Sequence, residues 1–192
     1  RAAMKNDKII AGAVIGAGVI GAIALFARRR PRYDFRGKTA LIIGGSRGLG
    51  LVLARQLAAE GARIAIAARD VEELARAEAE LERSGAWVRS IVCDARLQDH
   101  VESAVAETES HFGQIDLLVN NAGIIRVGPL ELQTQEDFEE AMQIHFWGPY
   151  YSMKAVLPAM KRRGGGRIVN ISSIGGKVAV PHLASYSASK FA

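Results

Sequence analysis

The chain has 192 residues, 49% of them apolar, so it is one domain's worth of sequence able to bury a real core. Its net charge of +5 sits at the N-terminus: residues 1–36 hold eight Lys/Arg and two Asp, leaving 17 Lys/Arg and 18 Asp/Glu for the rest. A near-neutral globular part excludes a basic groove for nucleic acid, and the one cysteine, Cys93, excludes an internal disulfide. Cys93 fits a reducing compartment and a small buried apolar role. Beginning at Arg1 and stopping at Ala192, within the opening of a helix, the sequence is expected to be a piece open at both ends.

After a tail of residues 1–8, residues 9–27 carry no charge and lie between Lys5, Lys8 and Arg28, Arg29, Arg30. About 20 apolar residues suffice to span a bilayer as a helix. Gly12 and Gly16 have the spacing at which two such helices approach closely. The preferred reading is an uncleaved transmembrane anchor followed by a basic juxtamembrane linker over 28–36. The arginine-rich side then places the main domain, residues 37–192, in the cytoplasm. Gly16, Gly18 and Gly21 also spell a GxGxxG, as in a flavoprotein's dinucleotide unit. That unit needs a second strand ending in a carboxylate roughly 20 residues on, and here an Arg-rich stretch with Pro31 intervenes. A mobile tail is the third alternative.

From Lys38 onward strands and helices alternate. Thr39–Ile43 is a buried strand, Leu49–Ala59 a helix stopped by Gly61, and Ile64–Ala67 a second strand. Asp70 caps a helix to Arg83. Val88–Cys93, a helix over 98–112, and the strand Leu117–Asn120 follow. One long helix is expected from Thr134 to Arg162, bent or interrupted by Gly148, Pro149 and Pro158, before a fifth strand over Arg167–Ile171. The pattern predicts the α/β class: a Rossmann-type doubly wound parallel sheet, incomplete at its C-terminus, with its ligand crevice at the strands' C-terminal ends.

Each candidate motif falls at such an end. Gly44, Gly45, Ser46, Arg47, Gly48, Leu49 and Gly50 join the first strand to the first helix, where glycines let a pyrophosphate approach a helix N-terminus. The second strand ends in Ala67-Ala68-Arg69, with arginine where an NAD site wants a carboxylate. Arg69 and Arg47 can pair with the 2′-phosphate of NADP, so NADP is the expected cofactor. The four histidines and single cysteine lack metal-ligand spacing, and no metal is expected.

With these motifs, the chain from Asp34 to Ala192 resembles the short-chain dehydrogenase/reductase family. The glycine loop fits its TGxxxGxG, with Ile43 in the threonine position. Asn120-Asn121-Ala122-Gly123 matches NNAG, Tyr186 to Lys190 matches YxxxK, and Ser173 precedes the tyrosine by the family's thirteen residues. The resemblance implies a carbonyl–alcohol oxidoreductase in which Tyr186 is the acid/base, Lys190 lowers its pKa and holds the ribose, and Ser173 binds the carbonyl oxygen. Tyrosine's ordinary pKa of about 10 explains the need for a lysine one turn away. The same resemblance puts Asp94 beside the adenine and Asn120 beside the ribose, and adds Ala95, Ala122 and Gly123 to the cofactor contacts.

One position departs from the family. His145, in His145-Phe146-Trp147-Gly148, stands where the family carries a catalytic asparagine. Three readings stay open: its backbone carbonyl still holds a relay water, its ring joins the proton relay, or activity is impaired. His182 faces either the substrate pocket or the loop surface. The expected partners are a small carbonyl or alcohol substrate, lipophilic if the anchor delivers it, and a second copy paired through Phe146, Trp147, Tyr150 and Tyr151. The competing readings are a nucleotide-binding regulatory or scaffolding protein with little turnover and, more weakly, a sugar-nucleotide epimerase.

Overall fold

A computed structural model of the chain describes residues 33–192. The expected membrane segment, residues 9–27, lies outside them, and among the described residues no helix is long and apolar enough to cross a membrane. Residues Phe35–Ala192 form one compact unit.

Five parallel strands make one sheet in the order β3-β2-β1-β4-β5. They are β1 (Thr39–Ile43), β2 (Arg63–Ala68), β3 (Val88–Val92), β4 (Leu117–Asn120) and β5 (Arg167–Asn170). Between them run α1 (Gly48–Ala59), α2 (Val71–Arg83), α3 (Gln98–Phe112), α4 (Gln135–Met142) and α5 (Gly148–Arg162), with α6 (Ala184–Phe191) after β5. This is the predicted doubly wound α/β arrangement.

The apolar runs explain the layering. β1 and β4 are buried at every position because both faces are covered. Leu41, Ile43 and Leu118 pack with Val101, Val105 and Val156 from α3 and α5, while Ile42, Ile66 and Val119 pack with Ala54, Leu74 and Leu81 from α1 and α2. Each fully buried Leu or Ile stabilises the fold by about 1.5–3 kcal/mol. β5 lies at the sheet edge, where Arg167, Val169 and Asn170 are exposed. Asp70 caps α2 as expected, its carboxylate accepting the Glu73 N–H at 2.8 Å.

The long helix expected over 134–162, with Gly148, Pro149 and Pro158 bending or interrupting it, is three pieces, interrupted at Gly148 and Pro149 but not at Pro158. Thr134 and Asp137 form a capping box that opens α4, a π-helical turn spans Gln143–Trp147, and α5 follows. Pro149 has no N–H for the His145 carbonyl four residues back, and the Gly148 N–H reaches five residues back to Gln143. Pro158 leaves α5 unbroken: it and Lys154, whose carbonyl loses a donor, both face water.

Candidate active site

Register gathers the predicted residues. Ile43 is level with Ala67 and Asn120, and Asn120 with Asn170, so the segments that follow these strands leave the sheet along one edge.

The glycine loop is built for close approach. Gly44 has φ +84°, and a Cβ there would lie 2.6 Å from the backbone of Ala122. A Cβ on Gly50 would collide with the Gly44 carbonyl oxygen and lie 2.7 Å from Nδ2 of Asn121. Asn121 itself donates to that carbonyl at 2.8 Å, stapling the loop to the end of β4. Arg47, at the N-cap of α1, provides no side-chain cap, so the first-turn amides remain available to an anion.

This loop, the end of β2 and the start of the segment after β4 enclose a cleft of about 350 Å³. Gly44, Ser46, Arg47, Gly48, Leu49, Arg69, Ala95, Ala122 and Gly123 line it, as does the buried Cys93, whose thiol burial pushes up to about 12, with Asp94 adding to the effect. Gly50 lies beneath the loop and shapes it. A glycine cradle, uncapped amides and two arginines fit a dinucleotide diphosphate.

Two expected contacts are differently employed. The Asp94 carboxylate receives Arg96 through Nε at 3.0 Å and Nη2 at 2.6 Å, and Arg96 also reaches Glu140 at 2.9 Å. Burial raises the pKa of Asp94, but the Arg96 hydrogen bonds outweigh it and hold the carboxyl below its usual range. Asp94 therefore anchors the loop after β3 and does not line the cleft. The Asn120 amide donates to Asn170 at 2.8 Å and accepts from Ser152 at 2.7 Å, tying β4 to β5 and α5. It lines a second cavity of about 260 Å³ that also holds His145 and Lys190.

Tyr186 and Lys190 lie one turn apart on α6, with Lys190 Nζ 5.9 Å from the Tyr186 ring centroid and donating to the Ile171 carbonyl at 3.0 Å. Burial holds the Lys190 ammonium below the usual lysine range. A Cβ on Gly175 would lie 2.9 Å from Cε1 of Tyr186 and 3.6 Å from Oγ of Ser173, so Ser173 and Tyr186 flank one glycine. Leu183 provides no side-chain cap for α6; Gln133 takes that part, accepting the Ser185 N–H at 2.9 Å while donating to the Gly128 carbonyl at 3.0 Å. His182, at φ +63°, lines a different cavity with Ser187 and Phe191.

His145 forms a bridge. Its Nε2 accepts the Ile124 N–H at 3.1 Å, Nδ1 meets Ser189 Oγ at 2.8 Å, and Ser189 donates to the Tyr186 carbonyl at 2.9 Å. Accepting at Nε2 leaves the proton on Nδ1, which fits a neutral ring donating to Ser189. Burial pushes the imidazole down to about 4, with Lys190 adding to the effect. The ring stacks edge-on against Tyr186 at 5.4 Å.

Sequence reading missed Asn121, Glu73, Gln133 and Ser189. Asn121 was visible as the second half of the asparagine pair. Glu73 lines the cleft from the first turn of α2, three residues after the cap that marks it. Gln133 and Ser189 act across 52 and 44 residues respectively, distances at which no local pattern exists.

The short chain dehydrogenase family model matches residues 38–192. Among curated proteins, gluconate 5-dehydrogenase of Gluconobacter oxydans (strain 621H) is 39% identical over 158 residues, covering 82% of this chain and 62% of that protein. The chain thus spans about three-fifths of such a relative. Two solved structures are each 36% identical over 83% of this chain. NAD+-bound xylitol dehydrogenase has a TM-score of 0.79 with 62% of its chain covered, and a metagenomic short-chain oxidoreductase in complex with NADP has 0.77 with 72% covered. Family match, sheet order and glycine cradle agree: the chain belongs to the short-chain dehydrogenase family.

Proposed function

We propose that this protein interconverts a carbonyl and an alcohol with NADP(H), using Ser173, Tyr186 and Lys190. The observation that carries the reading is the joining of two parts along one sheet edge: a glycine-cradled cleft, and a helix whose Tyr186 and Lys190 face the Ser173 turn. Gly44, Ser46, Gly48 and the α1 amides would hold the diphosphate, and Arg47 and Arg69 the 2′-phosphate. Bound there, a reduced nicotinamide supplies the hydride.

The chain's own residues do the rest. Ser173 Oγ donates to the carbonyl oxygen as charge develops on it, and the Tyr186 hydroxyl delivers its proton to that oxygen. Lys190, positively charged and part-buried beside the ring, favours the phenolate left behind. Tyr186 regains its proton from solvent before the next turnover. Asn120, locked between Asn170 and Ser152, keeps the β4 and β5 ends together under the reacting groups.

Cofactor choice rests on the arginines: Arg69 directly follows β2, and the next residue, Asp70, is engaged as the N-cap of α2. Arg69→Ala should weaken NADPH binding about tenfold and leave NADH within about twofold. An equal loss for both nucleotides would remove Arg69 from phosphate recognition. Residues 9–27 are uncharged, which supports an anchor holding the domain on the cytoplasmic membrane face near lipophilic substrates. Full-length protein should then stay with membranes through an alkaline carbonate wash; release into the supernatant would dismiss the anchor. Exposed Trp147 and Tyr150, on or beside α5, support pairing of two copies there.

A further inference from the structure

Two carboxylates line the cleft: Asp70 is spent on capping α2, and Glu73 has no part in the chemistry above. Glu73 projects from the first turn of α2, positioned by the Asp70 cap that receives its backbone N–H. Its Oε2 accepts from Ser46 Oγ at 3.1 Å and lies 3.5 Å from Nε of Arg47. Glu73, Ser46, Arg47 and Arg69 line the same cleft. The carboxylate therefore already engages Arg47, one of the two arginines that a phosphate on the adenosine ribose would use, together with the neighbouring Ser46.

We propose that Glu73 sets the balance between the two nicotinamide cofactors by acting as a built-in competitor of the 2′-phosphate. The inference rests on the reading of this cleft as the cofactor site. A ribose 2′-phosphate entering beside Arg47 meets a like charge and must displace Glu73 from Ser46 and Arg47. A ribose bearing a free 2′-hydroxyl brings no charge; it leaves Glu73 on its two partners and can donate a hydrogen bond to it. The arginines attract the phosphate and Glu73 opposes it, so the protein discriminates less than its arginines alone would. This reconciles an arginine at the end of β2 with a carboxylate in the neighbouring turn.

Glu73→Gln isolates the charge, because the amide oxygen can still accept from Ser46 and the loop keeps its support. NADPH, NADH, 2′,5′-ADP and 5′-AMP are titrated against full-length protein by fluorescence and calorimetry, with thermal melts to confirm folding. Glu73→Gln should tighten NADPH and 2′,5′-ADP about five- to tenfold, while NADH and 5′-AMP stay unchanged or weaken by about twofold. Glu73→Ala should show the same split with a lower melting temperature. Parallel changes for phosphorylated and unphosphorylated ligands, or no change for either, would overturn the role of Glu73 and leave the cofactor site standing. Failure of wild type and variants alike to bind any of the four would overturn the cofactor reading and this inference with it.

Discussion

Tyr186→Phe should lower kcat for carbonyl reduction about a thousandfold while NADPH binding stays within about twofold. The substitution removes one oxygen and little else. The phenyl ring keeps its edge-on contact with His145 and its packing on Gly175, so α6 retains its seat. What disappears is the group that passes a proton to the developing alkoxide, an interaction made only as the reaction proceeds. The loss should therefore fall on kcat and on kcat/KM equally. Stopped-flow single turnovers with bound NADPH separate this from slow product release. A variant retaining a tenth of wild-type turnover would take Tyr186 out of the proton path.

A second large effect concerns His145, where this chain departs from its family's asparagine. The ring spends both nitrogens on bridging the segment after β4 to α6, and burial disfavours its protonation. Its folded pKa of about 4 lies below the ordinary 6.5, so on acidification the unfolded chain takes up a proton before the folded one does. The stability so contributed is complete above about pH 6.5 and is lost as pH falls towards 4. Full linkage would amount to about 3 kcal/mol, and solvent reaching the part-buried ring reduces this to about 1–2 kcal/mol. Urea unfolding at pH 4.5 and pH 7 should show that difference in wild type and lack it in His145→Asn. Asparagine is too short to reach both Ile124 and Ser189, so at pH 7 the variant should lose about 1 kcal/mol through an unpaired, part-buried donor. Turnover should fall by about tenfold or less, because the backbone carbonyl freed by Pro149 is unchanged. If instead the ring carried protons, the wild-type rate profile would hold an ionisation near neutrality that vanishes in the variant.

The strands and the glycine loop were legible because their signals are local. Thr39–Ile43 and Leu117–Asn120 are apolar throughout, and a strand covered on both faces needs no more than that. The loop was legible because only glycine tolerates the closeness of Gly44 to Ala122 and of Gly50 to Gly44. The π-helical turn was not, since Pro149 announces a break without saying whether a bend, a π turn or a new helix follows. Asp94 and Asn120 show a second limit. A motif position fixes where a residue stands, while its side chain is claimed by whichever partner folding brings nearest, Arg96 in one case and Asn170 with Ser152 in the other. Glu73 shows a third: a helix-opening carboxylate is common, and only the fold carries this one to the glycine loop.

Hydride transfer to a carbonyl carbon is the central claim, and isotope transfer tests it most directly. The full-length protein is incubated with NADPH carrying deuterium at C4 of the nicotinamide and with a panel of aldehydes and ketones, and the alcohols are analysed by mass spectrometry. One deuterium is expected on the carbinol carbon of at least one product, with about a thousandfold less formed by Tyr186→Phe over the same interval. Tight binding of NADPH with no deuterium delivered to any member of a broad panel would contradict it and favour a nucleotide-binding regulatory protein on the same fold.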